Sequence, residues 1–353
     1  MTNSISSIYK SKLDDIDLPL VIQARDQEEK SLEYLLQWIS KNRNELESDL
    51  LEQGAILFRG FDLNDEWDFE NVILAIEKEL GETYLGTSPR DKKTKYVHTA
   101  SELPPHYPIM QHAEMSFLKS PPKKLFFFCK IAPENNGETP ITDLRKIYNQ
   151  LDPKLLSKFE NKQVKYLRRY DGPNASRFSL WKTKRWDEMF SSNDPKVVEE
   201  KSKQQGFQVD WQENQSVRLV HNMVAVRPHP ITGVKAWHNH SQTFHVDSPK
   251  LEYWKIFQRQ KTIRSFAIAI LLSILTFWKK LTVPIDKLDV HTMFGDGSPI
   301  SKVEITQIMN VFWKNMRIFR WQKGDLLYID NFTVSHGRLP FKGPREILVA
   351  WTD

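Results

Sequence analysis

Residues 324–353, GDLLYIDNFTVSHGRLPFKGPREILVAWTD, contain two short apolar runs separated by a more polar segment with one histidine. The runs LLYI and ILVAW are bounded by Gly, Asp and Pro, a pattern that predicts strand, loop, strand. His336 is then expected between the two strands, and Arg345 enters the last one. The end of the chain therefore combines sheet-forming segments with side chains that can bind a metal or a carboxylate.

Similar apolar runs recur through the chain, interspersed with segments of helical spacing. Predicted strands are 54–61, 123–132, 137–144, 163–170 and 216–230, and predicted helices are 27–49, 66–80, 144–160, 250–280 and 302–315. No repeat or Pro/Gly linker divides the sequence, so we expect one domain over 1–353, with an N-terminal helical extension at 1–50 and a helical lid-like insertion at 250–285. Scattered strands with inserted helices favour a mainly β fold with flanking helices over alternating βαβ units.

The composition is that of a globular protein with a modest positive charge: 40% of the 353 residues are hydrophobic and the net charge is +5. A charge of this size on so large a surface gives little support for nucleic-acid binding. The single cysteine, Cys129, excludes an internal disulfide framework and a cysteine-rich metal cluster, and its apolar neighbours predict a buried side chain. The N-terminus lacks the apolar core of a secretory signal, so we expect a cytoplasmic protein.

The most apolar segment is FAIAILLSILTFW (266–278), flanked by Arg264 and by Lys279 and Lys280. Its thirteen residues are fewer than the about 20 needed to cross a bilayer, so no membrane span is expected. A buried helix, or an apolar helix that covers a pocket, is the preferred interpretation. A lid, a homo-oligomer contact and an acyl-binding wall all remain open for it.

The segment PIMQHAEMSFLKSPP (108–122) contains a histidine and a glutamate two residues apart. In a strand, residues i and i+2 point to the same side of the sheet, so His112 and Glu114 would project together. Alone, such a pair more often decorates a surface, because a metal site needs a third ligand. Fe(II) enzymes that activate O2 use two histidines and one carboxylate on one face of the metal, and His336 can supply the second histidine.

Two further residues can bind a carboxylate beside such a metal. An arginine holds a carboxylate through two parallel hydrogen bonds, and Arg345 enters the final predicted strand. Thr139, in the predicted strand that follows the histidine–glutamate segment, can add a hydroxyl. Together with three metal ligands, these residues are suited to binding iron and the dicarboxylic acid 2-oxoglutarate.

The histidine-rich segment WHNHSQTFH (237–245) has two interpretations. His238 and His240 can form a rival metal half-site, although a nearby carboxylate to complete it is lacking apart from Asp247. The alternative is a strand along a pocket, with substrate contacts from Asn239, Gln242 and Phe244.

Several other side chains have both a structural and a functional interpretation. His221 and His229 are expected to be structural, His229 in a turn before Pro230. Arg338 either fixes a loop through an ion pair or contacts substrate or cosubstrate. Phe117 and Trp237 are core aromatics or line the substrate cavity.

The basic run 165–186 interleaves Lys and Arg with aromatic residues. Arg168, Arg169 and Arg177 either form a solvated surface or bind a substrate carboxylate or the phosphopantetheine of a carrier protein.

Over about residues 50 to 353 the chain resembles the taurine dioxygenase (TauD/TfdA) superfamily of Fe(II)/2-oxoglutarate-dependent dioxygenases. The matching segments, in chain order, are GAILFRGF, QHAEMSFLKSPP, NGETPITD, VRPHPITGVKAWHN, FGDGSPI and WQKGDLLYIDNFTVSHGRLPFKGPREILVAW. Within the superfamily, the sequence most resembles the natural-product amino-acid hydroxylase branch, of the syringomycin-pathway aspartyl hydroxylase type.

This resemblance implies a double-stranded β-helix core (jelly-roll, clavaminate synthase-like) and an enzyme that uses Fe(II), 2-oxoglutarate and O2 and releases succinate and CO2. It implies His112, Glu114 and His336 as iron ligands, and Thr139 and Arg345 as the residues that bind 2-oxoglutarate. Phe117, Asn239, Phe244 and Arg338 are the candidate substrate contacts.

Two positions refine the expected reaction. Taurine-type enzymes place a substrate-binding arginine four residues after the cosubstrate arginine, whereas this chain has Val349, which disfavours a sulfonate substrate. Related halogenases replace the carboxylate ligand by a small residue, so Glu114 favours hydroxylation. The expected substrate is an amino acid or a derived small metabolite, free or presented by a carrier protein. Desaturation or cyclisation at the same site, and a non-catalytic binding relative, remain alternatives.

Overall fold

The computed structural model describes residues 8–13, 16–82, 90–101, 103–175, 185–212 and 215–352. The candidate contact Arg177 lies outside these described residues. The strands are β1 (Tyr9–Leu13), β2 (Ile16–Gln23), β3 (Ala55–Arg59), β4 (His98–Thr99), β5 (Ile109–His112), β6 (Lys124–Ile131), β7 (Asn135–Asn136), β8 (Ile141–Asp143), β9 (Val164–Tyr170), β10 (Gln208–Trp211), β11 (Val217–Met223), β12 (Val226–Pro228), β13 (Lys235–Trp237), β14 (Val290–Phe294), β15 (Leu326–Asp330), β16 (Val334–Arg338), β17 (Phe341–Lys342) and β18 (Glu346–Trp351). The helices are α1 (Leu32–Gln53), α2 (Glu66–Ile76), α3 (Leu144–Gln150), α4 (Pro153–Lys162), α5 (Trp186–Phe190), α6 (Pro195–Gln204), α7 (Ser241–Phe244), α8 (Ser248–Gln260), α9 (Ile263–Thr282) and α10 (Lys302–Asn315).

The largest sheet has seven strands in the order β1-β2-β3-β15-β6-β18-β4. Its central strands are apolar at nearly every position, which indicates that both faces of the sheet are covered. In β6, Phe126 and Phe128 point to one face, whereas Leu125, Phe127 and Cys129 point to the other. Cys129 is fully buried, as predicted, and burial raises the pKa of its thiol to about 12.

Helices cover one face of this sheet and a second sheet covers the other. On the helical side, Phe69 of α2 stacks on Phe128 with ring centroids 5.3 Å apart. On the opposite side lies a three-stranded sheet in the order β5-β16-β8, and its Ile141 and Val334 pack in the same core as Phe127. Two facing sheets with flanking helices form the mainly β, jelly-roll core that the sequence predicts.

A second core lies around the four-stranded sheet β10-β11-β9-β14. Phe159 of α4 contacts both Trp237 and Phe294, in each case with ring centroids 4.9 Å apart. Trp237 is fully buried, which confirms its interpretation as a core aromatic residue.

The N-terminal segment differs from the helical extension predicted for residues 1–50. Tyr9–Leu13 and Ile16–Gln23 form β1 and β2, and β2 joins the large sheet through parallel pairing with β3. The β-branched residues Val21 and Ile22 are buried there, which a pleated strand accommodates well. The first long helix begins only at Leu32, where the Ser31 hydroxyl caps it by accepting a hydrogen bond from the Tyr34 N–H.

The segment predicted as one helix at 144–160 forms two helices, α3 and α4. Pro153 occupies the first turn of α4, and the Asp152 carboxylate caps this helix by accepting hydrogen bonds from the Lys154 and Leu155 N–H groups. A proline with a capping residue starts a new helix because it cannot continue the preceding one.

Residues 248–282 are helical, as predicted for the insertion, and form a hairpin of α8 and α9 joined at Lys261 and Thr262. The expectation that the apolar part is a buried helix is wrong, because most of its large side chains are exposed. The helix also extends beyond 266–278 to 20 residues, so it is long and apolar enough, by length and composition alone, to cross a membrane. The prediction that this segment is too short to cross a membrane is therefore wrong.

Candidate metal and cosubstrate site

Two neighbouring strands bring the predicted histidine ligands together. β16 pairs with β5, and His336 lies directly opposite His112 in this antiparallel register. Residues opposite each other project to the same face of a sheet, and the two imidazole ring centroids are 4.4 Å apart. His336 lies within a strand and not in the predicted loop, because Val334–Arg338 pairs on both edges, with β5 and with β8.

Glu114 reaches the same point from a turn. β5 ends at His112, and residues 114–117 form a turn in which Met115 has a φ of 50°. The strand geometry expected for the pair is therefore wrong, although its consequence is met, because the turn places Glu114 beside the histidines. Its Oε2 atom lies 3.6 Å from Nε2 of His336 and 4.0 Å from Nε2 of His112.

The side chain of Asn331 holds this turn in place. Its Oδ1 atom accepts a hydrogen bond of 2.7 Å from the backbone N–H of Glu114, and its Nδ2 group donates to the Glu114 carbonyl at 2.9 Å. The same Nδ2 group also donates to the Pro122 carbonyl at 2.8 Å. Sequence reasoning missed Asn331, because the residue lies 217 positions from Glu114 and only the jelly-roll fold brings them together.

The protonation state of His112 suits metal binding. Its Nδ1 atom donates to the Met110 carbonyl at 2.8 Å, which leaves Nε2 free to bind a metal. Burial and the neighbouring His336 lower the pKa of His112 to about 4. The imidazole is therefore neutral at physiological pH, which is the form that coordinates metals.

Glu114 is ionised because of its neighbours. Burial alone would raise the pKa of its carboxyl group, but Arg90 and the two histidines outweigh this effect and hold the pKa well below its usual range. Nη2 of Arg90 lies 2.8 Å from Oε2 of Glu114, and both side chains are almost fully buried. Arg90 carries no helix or strand signal in the sequence, so sequence reasoning did not identify it.

The two predicted 2-oxoglutarate residues are in contact. Nη2 of Arg345 donates to Oγ1 of Thr139 at 3.3 Å, and Nε of Arg345 donates to the Gly137 carbonyl at 2.9 Å. Thr139 also accepts a hydrogen bond of 3.0 Å from Nε1 of Trp321. Burial and the nearby Arg338 lower the pKa of Arg345 to about 9, so its guanidinium is still charged at neutral pH.

A cavity of about 180 Å³ connects these two groups. The residues that line it include Arg90, His112, Glu114, Phe117, Phe127, Thr139, His240, Phe244, His336, Arg338 and Arg345. The candidate substrate residues Phe117, Phe244 and Arg338 therefore face the cavity. The described lining residues include none from 250–285, and the lid-like role of this insertion stays a prediction.

The histidine-rich segment 237–245 borders the cavity, but through a loop and α7 and not through a strand. The structure does not support Asn239 as a substrate contact, because its side chain bonds to the Ala225 carbonyl and to the Ser241 N–H, away from the described lining. His240, which sequence reasoning assigned only to a rival metal site, lines the cavity instead. Its Nδ1 atom lies 2.6 Å from Oγ of Ser116, and burial holds its pKa well below the usual value.

No second metal site forms in this segment among the described residues. Nε2 of His238 lies 3.1 Å from the Asn331 carbonyl, so it is hydrogen-bonded to the backbone. The ring of His240 contacts the Ser116 hydroxyl instead of sharing a site with His238. His221 and His229 have structural contacts, as predicted. Nε2 of His221 lies 2.7 Å from the Phe117 carbonyl, and Nδ1 of His229 accepts hydrogen bonds from the turn at residues 231–232.

Arg338, Arg168 and Arg169 have different surroundings. Arg338 fixes a loop, as one of its two interpretations predicts: it donates to three backbone carbonyls at 2.7 to 3.1 Å (Leu103, Pro104 and Tyr107). Arg168 is fully buried, with its guanidinium carbon 4.1 Å from the Phe117 ring centroid, so the solvated and carrier-contact interpretations of this residue are wrong. Arg169 is partly exposed and lies 3.7 Å from Asp289.

The donor set fits the metal that the resemblance implies. His112, Glu114 and His336 each offer one ligand atom, and these atoms all lie within 4.8 Å of one another. Within the described ranges, no other group of three His, Cys, Asp or Glu residues meets this criterion. Two imidazoles and one carboxylate beside a cavity are the ligands and the open coordination positions that non-haem Fe(II) uses.

The sequence profile described as "Taurine catabolism dioxygenase TauD, TfdA family" matches residues 15–351. The chain belongs to the TauD/TfdA family. It is 31% identical over 305 residues to the dapdiamide synthesis protein DdaC of Enterobacter agglomerans, covering 86% of this chain and 83% of that protein. It is 28% identical to a clavaminate synthase-like protein of Arabidopsis thaliana, covering 91% of this chain and 88% of that protein.

A solved structure of the same fold extends this result. The crystal structure of AAD-2 in complex with Mn(II) and N-oxalylglycine matches with a TM-score of 0.53 at 14% identity, covering 98% of this chain and 97% of that chain. This similarity confirms the double-stranded β-helix core. As a TauD/TfdA protein with a His-Glu-His group that could hold a metal ion, the chain is an Fe(II)- and 2-oxoglutarate-dependent dioxygenase.

Proposed function

We propose that this dioxygenase hydroxylates an unactivated C–H bond of an amino acid or an amino-acid-derived small metabolite. The observation that carries the proposal is the complete set of His112, Glu114 and His336, with the carboxylate of Glu114 buried and ionised beside both histidines. A carboxylate at this position occupies the space that a halide would need, so it favours hydroxylation.

The substrate class is supported by similarity and by the cavity. The relative DdaC is named as a dapdiamide synthesis protein, and its 31% identity over most of both chains supports a substrate from natural-product metabolism. A cavity of about 180 Å³ suits a small molecule and not a folded polymer. Position 349, four residues after Arg345, holds a fully buried valine, so the arginine that taurine-type enzymes place there is missing from this position.

One group of residues in the site would bind iron and another would bind 2-oxoglutarate. His112, Glu114 and His336 would hold the Fe(II), which when bound supplies the means to activate O2. Arg345 and Thr139 would bind the distal carboxylate of 2-oxoglutarate, because a guanidinium and a hydroxyl can donate to its two oxygens. Arg90 keeps Glu114 ionised.

Other lining residues control orientation and water. Phe117 and Phe244 lie 5.8 Å apart (ring centroids) and form an apolar wall that excludes water from the reacting C–H bond. His240 is neutral and faces the cavity, so it can exchange one hydrogen bond with a polar substrate group. Overall, substrate, O2 and 2-oxoglutarate are converted to hydroxylated product, succinate and CO2.

An anaerobic titration of the metal-free protein with Fe(II) and 2-oxoglutarate tests the site. We expect a visible charge-transfer band, which should disappear in His112→Ala. His106→Ala is a matched control, because His106 is an exposed histidine and its hydrogen bond with the Tyr253 hydroxyl is accepted by its backbone carbonyl, which alanine keeps. If the band persists in His112→Ala, the assigned ligand is wrong.

A screen for succinate release then tests the substrate. Free amino acids and the same amino acids loaded on a carrier protein should be compared, with mass spectrometry of the organic product. Gain of one oxygen atom supports hydroxylation, whereas loss of two hydrogen atoms would show desaturation or cyclisation at the same site. Succinate formation that none of the amino acids or their derivatives stimulates would overturn the proposed substrate class.

A further inference from the structure

Helix α9 exposes nine large hydrophobic side chains to solvent. They are Ile263, Phe266, Ile270, Leu271, Ile274, Leu275, Phe277, Trp278 and Leu281. Ile263 is 89% exposed and Leu281 is 64% exposed, and these residues lie at opposite ends of the helix. A surface this apolar over the length of one helix marks an interaction site, since scattered single residues are the norm elsewhere.

The helix rests on the protein with its least hydrophobic side. Its buried residues are Ser265, Ala269, Leu272 and Thr276, a narrow stripe at helical spacing that packs against α8. A hydrogen bond of 3.1 Å from Nε1 of Trp254 to Oγ of Ser273 ties the two helices together. A surface helix of a water-soluble protein usually buries its apolar side. In α9 most of the large apolar side chains face solvent instead.

Most charges in and beside this helix are positive. Residues 253–287 contain seven Lys or Arg and one Asp or Glu, and α9 itself has no acidic residue. Arg264 at its start and Lys279 and Lys280 at its end lie beside the apolar surface. Lys279 and Lys280 have Asp289 and Asp247 as neighbours, at 3.8 Å and 2.9 Å.

A cavity at the start of α9 has the same charge bias. It measures about 420 Å³ and is lined by Arg264 and Lys342 together with Thr262, Ser265 and Tyr253, while its described lining contains no carboxylate. A cavity of this kind, at the edge of an apolar surface, is suited to an anionic head group.

The helix cannot cross a bilayer within this fold. The chain reaches α9 from α8, which packs against it, and leaves toward β14, which pairs with β9 in the sheet of the second core. A crossing helix would place β14 and its partner β9 on opposite sides of the membrane. A membrane contact through this surface therefore places α9 in the plane of the membrane interface.

We propose that α9 attaches the protein to the surface of a membrane that contains anionic lipids. Its exposed apolar side chains enter the boundary between head groups and acyl chains, and Arg264, Lys279 and the neighbouring cations contact the head groups. A second copy of this chain is a poorer occupant, because pairing two α9 helices in either direction brings basic ends together without an acidic residue on the helix to compensate. This inference does not rest on the proposed substrate.

Sedimentation with vesicles tests the proposal. The whole protein should be mixed with vesicles of phosphatidylcholine alone and of phosphatidylcholine with phosphatidylglycerol. We expect binding on the order of tenfold tighter to the anionic vesicles, which high salt reduces. Equal binding to both vesicles, or binding to neither, would overturn the proposal.

Paired variants separate the apolar and the charged contributions. Leu271→Gln with Leu275→Gln should abolish vesicle binding and leave the folded structure and the Fe(II) band unchanged, because these side chains are 53% and 48% exposed. Arg264→Gln with Lys279→Gln should remove the preference for anionic vesicles. Ile231→Gln with Val234→Gln, on an exposed turn elsewhere, is the matched control that should bind like the original protein.

The oligomeric state of the protein without lipid tests whether a second copy of the chain, and not a membrane, covers the apolar surface of α9. We expect the protein without lipid to lack a dimer that depends on α9. A dimer that dissociates in the Leu271→Gln, Leu275→Gln variant, together with absent vesicle binding, would assign this surface to a second copy and refute the membrane proposal.

Discussion

The carboxamide of Asn331 bonds both backbone polar groups of Glu114, accepting from its N–H at 2.7 Å and donating to its carbonyl at 2.9 Å. Asn331 directly follows β15 of the large sheet, whereas Glu114 lies in the turn after β5 of the small sheet. This pair therefore links the two facing sheets at the proposed iron site. It fixes the direction of the carboxylate through the backbone of Glu114 and not through the carboxylate oxygens.

Asn331→Ala should weaken Fe(II) binding by about tenfold or more, the usual effect of losing a residue that orients a ligand. The free energy of unfolding should also fall by about 3 kcal/mol, because buried backbone groups lose their partners. Asn331→Asp keeps the acceptor for the Glu114 N–H but loses the donor, so an intermediate loss is expected. Fe(II) titration and urea unfolding measure the two effects, with the exposed Asn161→Ala as control. Unchanged Fe(II) affinity in Asn331→Ala would contradict this role.

Gly337→Ala should separate the two histidine ligands. A Cβ atom at position 337 would lie 2.6 Å from the Ile109 backbone carbonyl, so β5 and β16 would have to move apart. We expect loss of the Fe(II)-dependent charge-transfer band and of succinate formation. Gly206→Ala is a matched control: its φ of 77° makes the substitution destabilising by about 1 kcal/mol, but its Cβ would meet no atom. Equal Fe(II) affinity in both variants would refute the steric argument.

Arg345→Lys should raise the KM for 2-oxoglutarate by about tenfold or more, because an ammonium cannot make the two parallel hydrogen bonds of a guanidinium. Thr139→Val should raise this KM less, because only one hydroxyl is lost. Thr139→Ser keeps the hydroxyl, so its KM should stay close to that of the original protein. Succinate formation at varied 2-oxoglutarate measures these changes. The exposed Arg320→Lys should have no effect. A fall in kcat without a change in KM would indicate a role other than cosubstrate binding.

Glu252 should make stability depend on pH. Burial raises the pKa of this carboxyl group to about 7, against the effect of the hydrogen bond from Nε1 of Trp313. Since the folded pKa exceeds the unfolded value of 4.5, the protonated group favours the folded state below about pH 4.5, and this contribution is lost as the pH rises through about 7.

Glu252→Gln keeps an acceptor for Trp313 and removes the ionisation. The variant should therefore be more stable than the original protein at pH 8, by up to about 3 kcal/mol, and similar to it near pH 5. Urea unfolding at the two pH values provides the measurement. A stability difference that is the same at both pH values would show that Glu252 does not titrate in this range.

Much of the fold could be predicted from local pattern. The apolar runs of β3, β6, β15 and β18 identify the central strands, because a strand covered on both faces is apolar at successive positions. The predicted helix at 302–315 matches α10 closely, since Ser301 and Glu304 form a capping box at its start. The two N-terminal strands were missed, because their alternation is short and β3, the strand with which β2 joins the large sheet, lies more than thirty residues further on.

The sequence by itself determined the chemical inventory: two histidines, a glutamate, an arginine and a threonine whose types suit iron and a dicarboxylic acid. The tertiary structure alone decided how they meet, because the turn at Glu114, its support by Asn331 and its pairing with Arg90 depend on contacts between distant segments. It also decided that α9 turns its apolar side outward. Hydrophobicity predicts burial, but which side of a helix is buried depends on the surface against which it packs.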